Sequence, residues 1–214
     1  MTDAITETSA AAPDRMRVWD APLRVFHWGL VAAFTLAWLT ADEWQTAHEI
    51  AGYAVAGLVA FRLVWGFAGN RHARFARFLR GPVATLDYLR DMLARRERRY
   101  LGHNPAGAAM TLALLVTLSA TAFTGWQIAE PARPALWPDP PQVLAPADET
   151  RPARRGDREE EALEDLHEAL ADLLLLLVAL HVAGVALASF RHQENLARAM
   201  VTGDKRPPGP GDIA

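Results

Sequence analysis

The chain has 214 residues, a formal net charge of −3 and no cysteine, which excludes disulfides, iron–sulfur clusters, Cys-ligated zinc and a covalently attached c-type haem. A mean hydropathy near zero hides a segregated pattern. Apolar residues gather in four long blocks with nearly all the charge between them, as in membrane spans joined by polar loops.

Residues 1–24 are polar, carry Pro13 and Pro22, and read as a cytoplasmic N-terminal segment rather than a cleavable signal. The first span is expected over about 25–42, running from Val25 through Thr40 with Trp28 and Trp44 as flanking anchors. The second is expected over 48–68, interrupted only by Arg62. The third, 105–128, opens with Asn104 as a cap and Pro105 at the first helical position. The fourth, 166–190, contains the leucine run Leu173 to Leu177. Residues 191–214 form a C-terminal tail. The expected fold is all-α, an integral membrane four-helix bundle spanning residues 25–190.

Orientation follows from the loops. Between Gly69 and His103 there are nine arginines against Asp87, Asp91 and Glu97, which places this loop in the cytoplasm. Within it, Leu86, Leu89, Met92 and Leu93 recur at helical spacing beside Arg90, Arg95 and Arg96. That pattern fits a short amphipathic helix on the membrane surface, with a solvated basic loop as the alternative. Residues 130–165 carry ten acidic residues and five arginines, with Pro131, Pro134, Pro138, Pro140 and Pro141 opposing regular structure; they belong on the outer side. Both termini are then cytoplasmic, and the arginines report topology rather than nucleic-acid binding.

Four of the seven histidines fall on spans: His27, His48, His167 and His181. An ionisable side chain in the bilayer is costly, so function is the first reading and an interhelical hydrogen bond the competing one. His167 and His181 are fourteen residues apart, roughly 21 Å along a helix and about 40° around it. One face therefore presents ligands at two depths, as needed to hold two haems stacked across a bilayer. With the topology above, His48 shares the outer level with His167, and His27 the inner level with His181. Two imidazoles on opposite sides of an iron give a six-coordinate site suited to electron transfer. Zinc needs three or four ligands at one depth, and two fall short unless carboxylates join. A haem-free bundle, its histidines only packing, is the remaining alternative.

The motifs Pro22-x-Arg24-x-x-His27-Trp28, His48-Glu49, Leu166-His167-Glu168 and Ala179-Leu180-His181-Val182 together resemble the prokaryotic cytochrome b561 family, which includes b-type subunits of membrane hydrogenases. The resemblance runs from Val18 to Lys205. It implies two non-covalent haems b ligated by the first, second and fourth helices, in a multi-pass protein of the bacterial inner membrane. It further implies exchange of electrons between quinone or quinol and a redox partner such as a c-type cytochrome or dehydrogenase subunit. Alternatives within the resemblance are a superoxide oxidase delivering electrons to quinone, a quinone-linked enzyme, and a haem-b anchor subunit of a hydrogenase or dehydrogenase. An acidic outer loop opposes steering of the superoxide anion unless its five arginines cluster at the site.

Arg62 and Arg24 are candidates for haem propionate or quinone contacts, because a buried cation needs a counter-charge; snorkelling to the interface competes. Asp172 either hydrogen-bonds a histidine or faces the outer loop. His72, His103 and His192 read as interfacial residues, with a place beside a quinone as the alternative for His103.

Overall fold

The computed structural model describes residues 15–129 and 155–213. Four long helices are each long and apolar enough to cross a membrane: α1 (Ala21–Thr40), α2 (Gln45–Ala68), α5 (Pro105–Ala129) and α6 (Arg155–Arg191). Two short helices, α3 (Phe75–Phe78) and α4 (Pro82–Leu93), lie between α2 and α5, and α7 (Leu196–Thr202) follows α6. The short strands β1 (Met16–Arg17) and β2 (Asp204–Lys205) pair antiparallel, Met16 opposite Lys205.

Local chemistry sets the ends. Helix α1 starts four residues before the expected Val25, because Asp20 accepts a hydrogen bond from the Leu23 amide at 3.0 Å and Pro22 occupies the first turn. Asn104 caps α5 by accepting from the Gly107 amide at 2.7 Å. Helix α6 begins eleven residues before the expected Leu166. Its extension is rich in Glu159, Glu160, Glu161 and Glu164, good helix formers whose charge suits a helix N-terminus. The amphipathic segment around Leu86 is helical, as α4. The proline-rich stretch Pro131 to Pro141 lies outside the described residues.

Helices α1 and α2 pack together, α2 packs on α5, and α5 on α6. Helix α6 makes little direct contact with α1 or α2. Its one buried leucine in the apolar run, Leu174, meets Val55, Val59 and Leu118 at mid-depth. Elsewhere the helices turn large apolar side chains outward, including Leu39, Val64, Phe67, Phe123, Leu176 and Phe190. Such a surface suits acyl chains, and the helical backbone satisfies its own hydrogen bonds there.

One end of the bundle is basic and closed by a folded cap built from β1, β2, α7, residues 94–104 and the tail. Gly66 admits α3 beside that cap: a Cβ there would stand 2.0 Å from the Phe75 ring, so Phe75 sits directly on the helix backbone. Arg99 is the cap's centre, bound to Glu194 at 2.8 Å and Asp212 at 2.6 Å. Lys205 reaches the Leu101 carbonyl at 2.9 Å, and Arg191 pairs with Glu97 at 2.5 Å. The tail closes the unit, as the Leu101 amide donates to Ile213 and the Ile213 amide to Arg99.

Candidate functional site

The histidines on the long helices occupy two depths. His48 lies in the first turn of α2 and His167 on α6, both toward the acidic end; His27 near the start of α1 and His181 lower on α6 lie toward the basic end. Leu174 is seven residues from each α6 histidine, on their shared face. Its contact with α2 and α5 separates the two levels with apolar side chains.

At the acidic end the His48 and His167 rings stand 6.2 Å apart between centroids with planes 80° apart. A metal bound at about 2 Å from a nitrogen of each ring separates the ring centres by roughly 6 Å. Hydrogen bonds fix which nitrogen is free. His48 Nδ1 lies 2.9 Å from the Ala37 carbonyl oxygen, which only accepts, so Nδ1 carries the proton. His167 Nδ1 lies 2.9 Å from Thr124 Oγ1. That hydroxyl donates to the Thr121 carbonyl at 3.0 Å, leaving its lone pairs to accept from the imidazole. Both rings thus retain an uncommitted Nε2 lone pair, the arrangement of a ligating histidine held by outer partners. The His167 ring also rests on a gap in α5: a Cβ at Gly125 would lie 2.9 Å from its Cε1.

At the basic end His27 and His181 are close enough to interact electrostatically. His27 Nδ1 is buried and has no hydrogen-bond partner. Arg62 is placed on α2 fourteen residues after His48, hence at the depth of the basic end. It is 2 % exposed, donates through Nη2 to the Ala73 carbonyl at 3.1 Å, and stacks on Phe75 at 4.6 Å. Its Nη1 is buried without a partner. Arg24 turns toward α7 instead, donating through Nη1 to the Val201 carbonyl, while its Nε has no partner.

Each level therefore offers two imidazoles, and among the described residues no three His, Asp or Glu side chains converge. The unpartnered His27 Nδ1, the unpartnered Arg62 Nη1 and the open Nε2 pair at the other level would suit a planar metal macrocycle that carries anionic groups. Thr124, Gly125 and Ala37 escape sequence reading as parts of the site, since a buried threonine and a small residue on an apolar helix also signal plain packing.

The other polar candidates resolve differently. His103 lies against Trp19 and Phe78, with ring centroids at 5.0 and 4.4 Å. Burial, then the nearby charges of Arg62 and Lys205, push its pKa down to about 3, so it stays neutral at physiological pH. Burial also lowers His72 and His192. Asp172 is exposed.

A family model described as prokaryotic cytochrome b561 matches residues 18–203. Relatives include proteins named as probable Ni/Fe-hydrogenase B-type cytochrome subunits. The one from Rhodobacter capsulatus is 27% identical over 142 residues, covering 52% of this chain and 53% of its own. That from Bradyrhizobium diazoefficiens is 25% identical over 177 residues, 60% and 70% respectively. That from Rhizobium leguminosarum is 27% identical over 131 residues, 47% and 53%. The chain spans about half the length of most of these curated relatives. No solved structure matches it. With four membrane-spanning helices and a match over most of its length, this chain is a multi-pass membrane protein of the prokaryotic cytochrome b561 family.

Proposed function

We propose that the chain is a di-haem b-type cytochrome of the bacterial inner membrane that moves electrons between a redox partner and the quinone pool. The observation that carries this reading is the 6.2 Å opposition of His48 and His167, with His27 and His181 close enough to interact electrostatically at the other depth. Bound there, haem b supplies one-electron iron chemistry at a low-spin centre. The chain's residues would supply the rest: four imidazoles would hold the irons, Leu174 would keep water and polar groups out of the middle, and the basic end would orient the bundle with both termini in the cytoplasm.

Arg62 Nη1 is offered to an inner-level propionate, because an unpaired buried guanidinium demands an anion. The names of the relatives favour service as the membrane cytochrome of a hydrogenase or similar dehydrogenase, and co-purification from native membranes tests that partnership. The superoxide-oxidase alternative is disfavoured by the acidic α6 extension beside the outer level, which repels an anion.

Two outcomes check the cofactor. A pyridine haemochrome assay on detergent-purified protein is expected to count two haems b per chain; none, with haem supplied during expression, would return the histidines to packing. Gly125→Ala is expected to push the His167 ring from its place and weaken one of the two sites. The readout is a lower haem-to-protein ratio after detergent washing, with the helical circular dichroism unchanged.

A further inference from the structure

Helix α4 bridges the ends of two spans at the basic end of the bundle. Near its start Thr85 Oγ1 reaches the Pro105 carbonyl at 3.5 Å, and near its finish the Met92 carbonyl accepts from Arg191 Nη1 at 2.5 Å. It thereby joins the first turn of α5 to the last turn of α6. One side of α4 is fixed to the protein, where Tyr88 is buried and packs on Tyr100 with ring centroids 5.8 Å apart. At 100° per residue, Leu86 and Leu93 fall on the opposite side with Val83 beside them, and all three are exposed. An apolar stripe turned away from the protein at a membrane surface, with arginines around it, suits a helix resting in the headgroup region.

Where α4 ends against α6 the surface opens into a cavity of about 370 Å³ lined by Arg95, Glu97, Leu187, Phe190, Arg191 and His192. Its wall is apolar on one side and cationic on the other. Leu187 and Phe190, 40 % and 76 % exposed, lie on the last turns of the α6 span, and the polar groups follow directly after it and after α4. Arg95 holds a left-handed backbone, φ 55°, which is costly for a residue with a Cβ. Among the described residues its guanidinium has no hydrogen bond or ion pair. Both hydrogen bonds of Arg191 leave from Nη1, to Met92 and Glu97, so its Nε and Nη2 donors remain unspent. Glu97 is the one carboxylate among the lining residues, and its ion pair with Arg191 at 2.5 Å cancels one positive charge and leaves Arg95 in excess.

We infer that this cavity holds the headgroup of an anionic phospholipid from the leaflet at the basic end, with Arg95 and the open edge of Arg191 on its phosphodiester and its acyl chains passing over Leu187 and Phe190. The guanidinium fork matches phosphate oxygens, and basic pockets between spans at the membrane surface suit acidic headgroups. A soluble anion would leave the apolar wall uncovered, and a zwitterionic lipid would bring a further cation to a site already in positive excess. The volume falls at the lower end of small-ligand sites, roughly 300–1,000 Å³, enough for a phosphate and its glycerol. The inference rests on the membrane bundle and on α4, and is independent of the haem reading.

The test is native mass spectrometry of the detergent-purified full chain after incubation with dioleoyl phosphatidylglycerol or with dioleoyl phosphatidylethanolamine, with helical circular dichroism on the same samples. Wild type is expected to retain one phosphatidylglycerol in preference to the zwitterionic lipid. Arg95→Gln, at an exposed side chain without partners, should weaken that retention about fivefold, the share of one arginine beside an acidic headgroup. Arg95→Lys should recover most of it, and Arg90→Gln, on the same helix but outside the cavity, should leave it unchanged. Equal retention of the two lipids, full retention in Arg95→Gln, or an equal loss with Arg90→Gln would overturn the site. So would displacement of the lipid by inorganic phosphate alone, which would make the cavity a site for a soluble anion.

Discussion

Replacing His167 with alanine is expected to halve the haem b of the purified protein, from two to one per chain, leaving the inner site spectrally intact. On the di-haem reading an iron at that level would lose one of its two protein ligands, and no other donor stands ready, since Asp172 is exposed and no third His, Asp or Glu joins a cluster among the described residues. The inner site is insulated because His181 is fourteen residues away on α6, roughly 21 Å, with Leu174 packed between. His48→Ala should give the same spectrum and His27→Ala the complementary one. Haem stoichiometry with reduced-minus-oxidised spectra checks this. Loss of both haems in His167→Ala, or of neither, would break the assignment of ligands to levels.

Arg99→Ala is expected to open the cap at the basic end while the spans persist. Its side chain is 4 % exposed and holds Glu194 and Asp212, themselves 8 % and 12 % exposed. Removing one partner of a buried charge set typically costs about 3 kcal/mol, because the remaining charges stay buried and unmatched. That corresponds to a rise of roughly a hundredfold in the open fraction of the cap. Amide exchange at Leu101 and Ile213, whose backbone bonds tie the tail to residue 99 and its neighbours, reads the change directly. Exchange as slow as in wild type would assign the cap's stability to the apolar contacts of Val18, Trp19 and Ala199 instead.

The same network carries a pH signature. Burial alone would raise Glu194 and Asp212, but hydrogen bonds from Arg99, with the Gly209 amide at Asp212, hold both carboxyls below their ordinary values. A depressed carboxylate contributes stability above its unfolded pKa and loses it as pH falls through the folded one. Cap opening in wild type should therefore rise on acidification below about pH 4.5, whereas Arg99→Ala should show a flatter dependence.

The number of spans, the basic character of one end and the depth of each histidine are legible along the chain, because hydropathy and the rise of 1.5 Å per residue are one-dimensional quantities. So is the shared face of His167 and His181, since helical period alone sets it. Other features depend on which helix faces meet. Thr124 reaches His167 across 43 positions, and Arg99 reaches Glu194 and Asp212 across 95 and 113. Nothing in the local pattern around Arg99 distinguishes it from its basic neighbours Arg95, Arg96 and Arg98; burial against the tail does. Arg24 and Arg62, alike in sequence as cations near the inner level, part company for the same reason, the first turned to the end of α7 and the second buried with a free Nη1. The sequence by itself determined a membrane bundle with histidines at two depths. Only the tertiary structure decided which groups hold those rings, which charge is left unpaired and how the termini seal one end, because hydrogen bonds and ion pairs are set by distances of about 3 Å that only chain packing establishes.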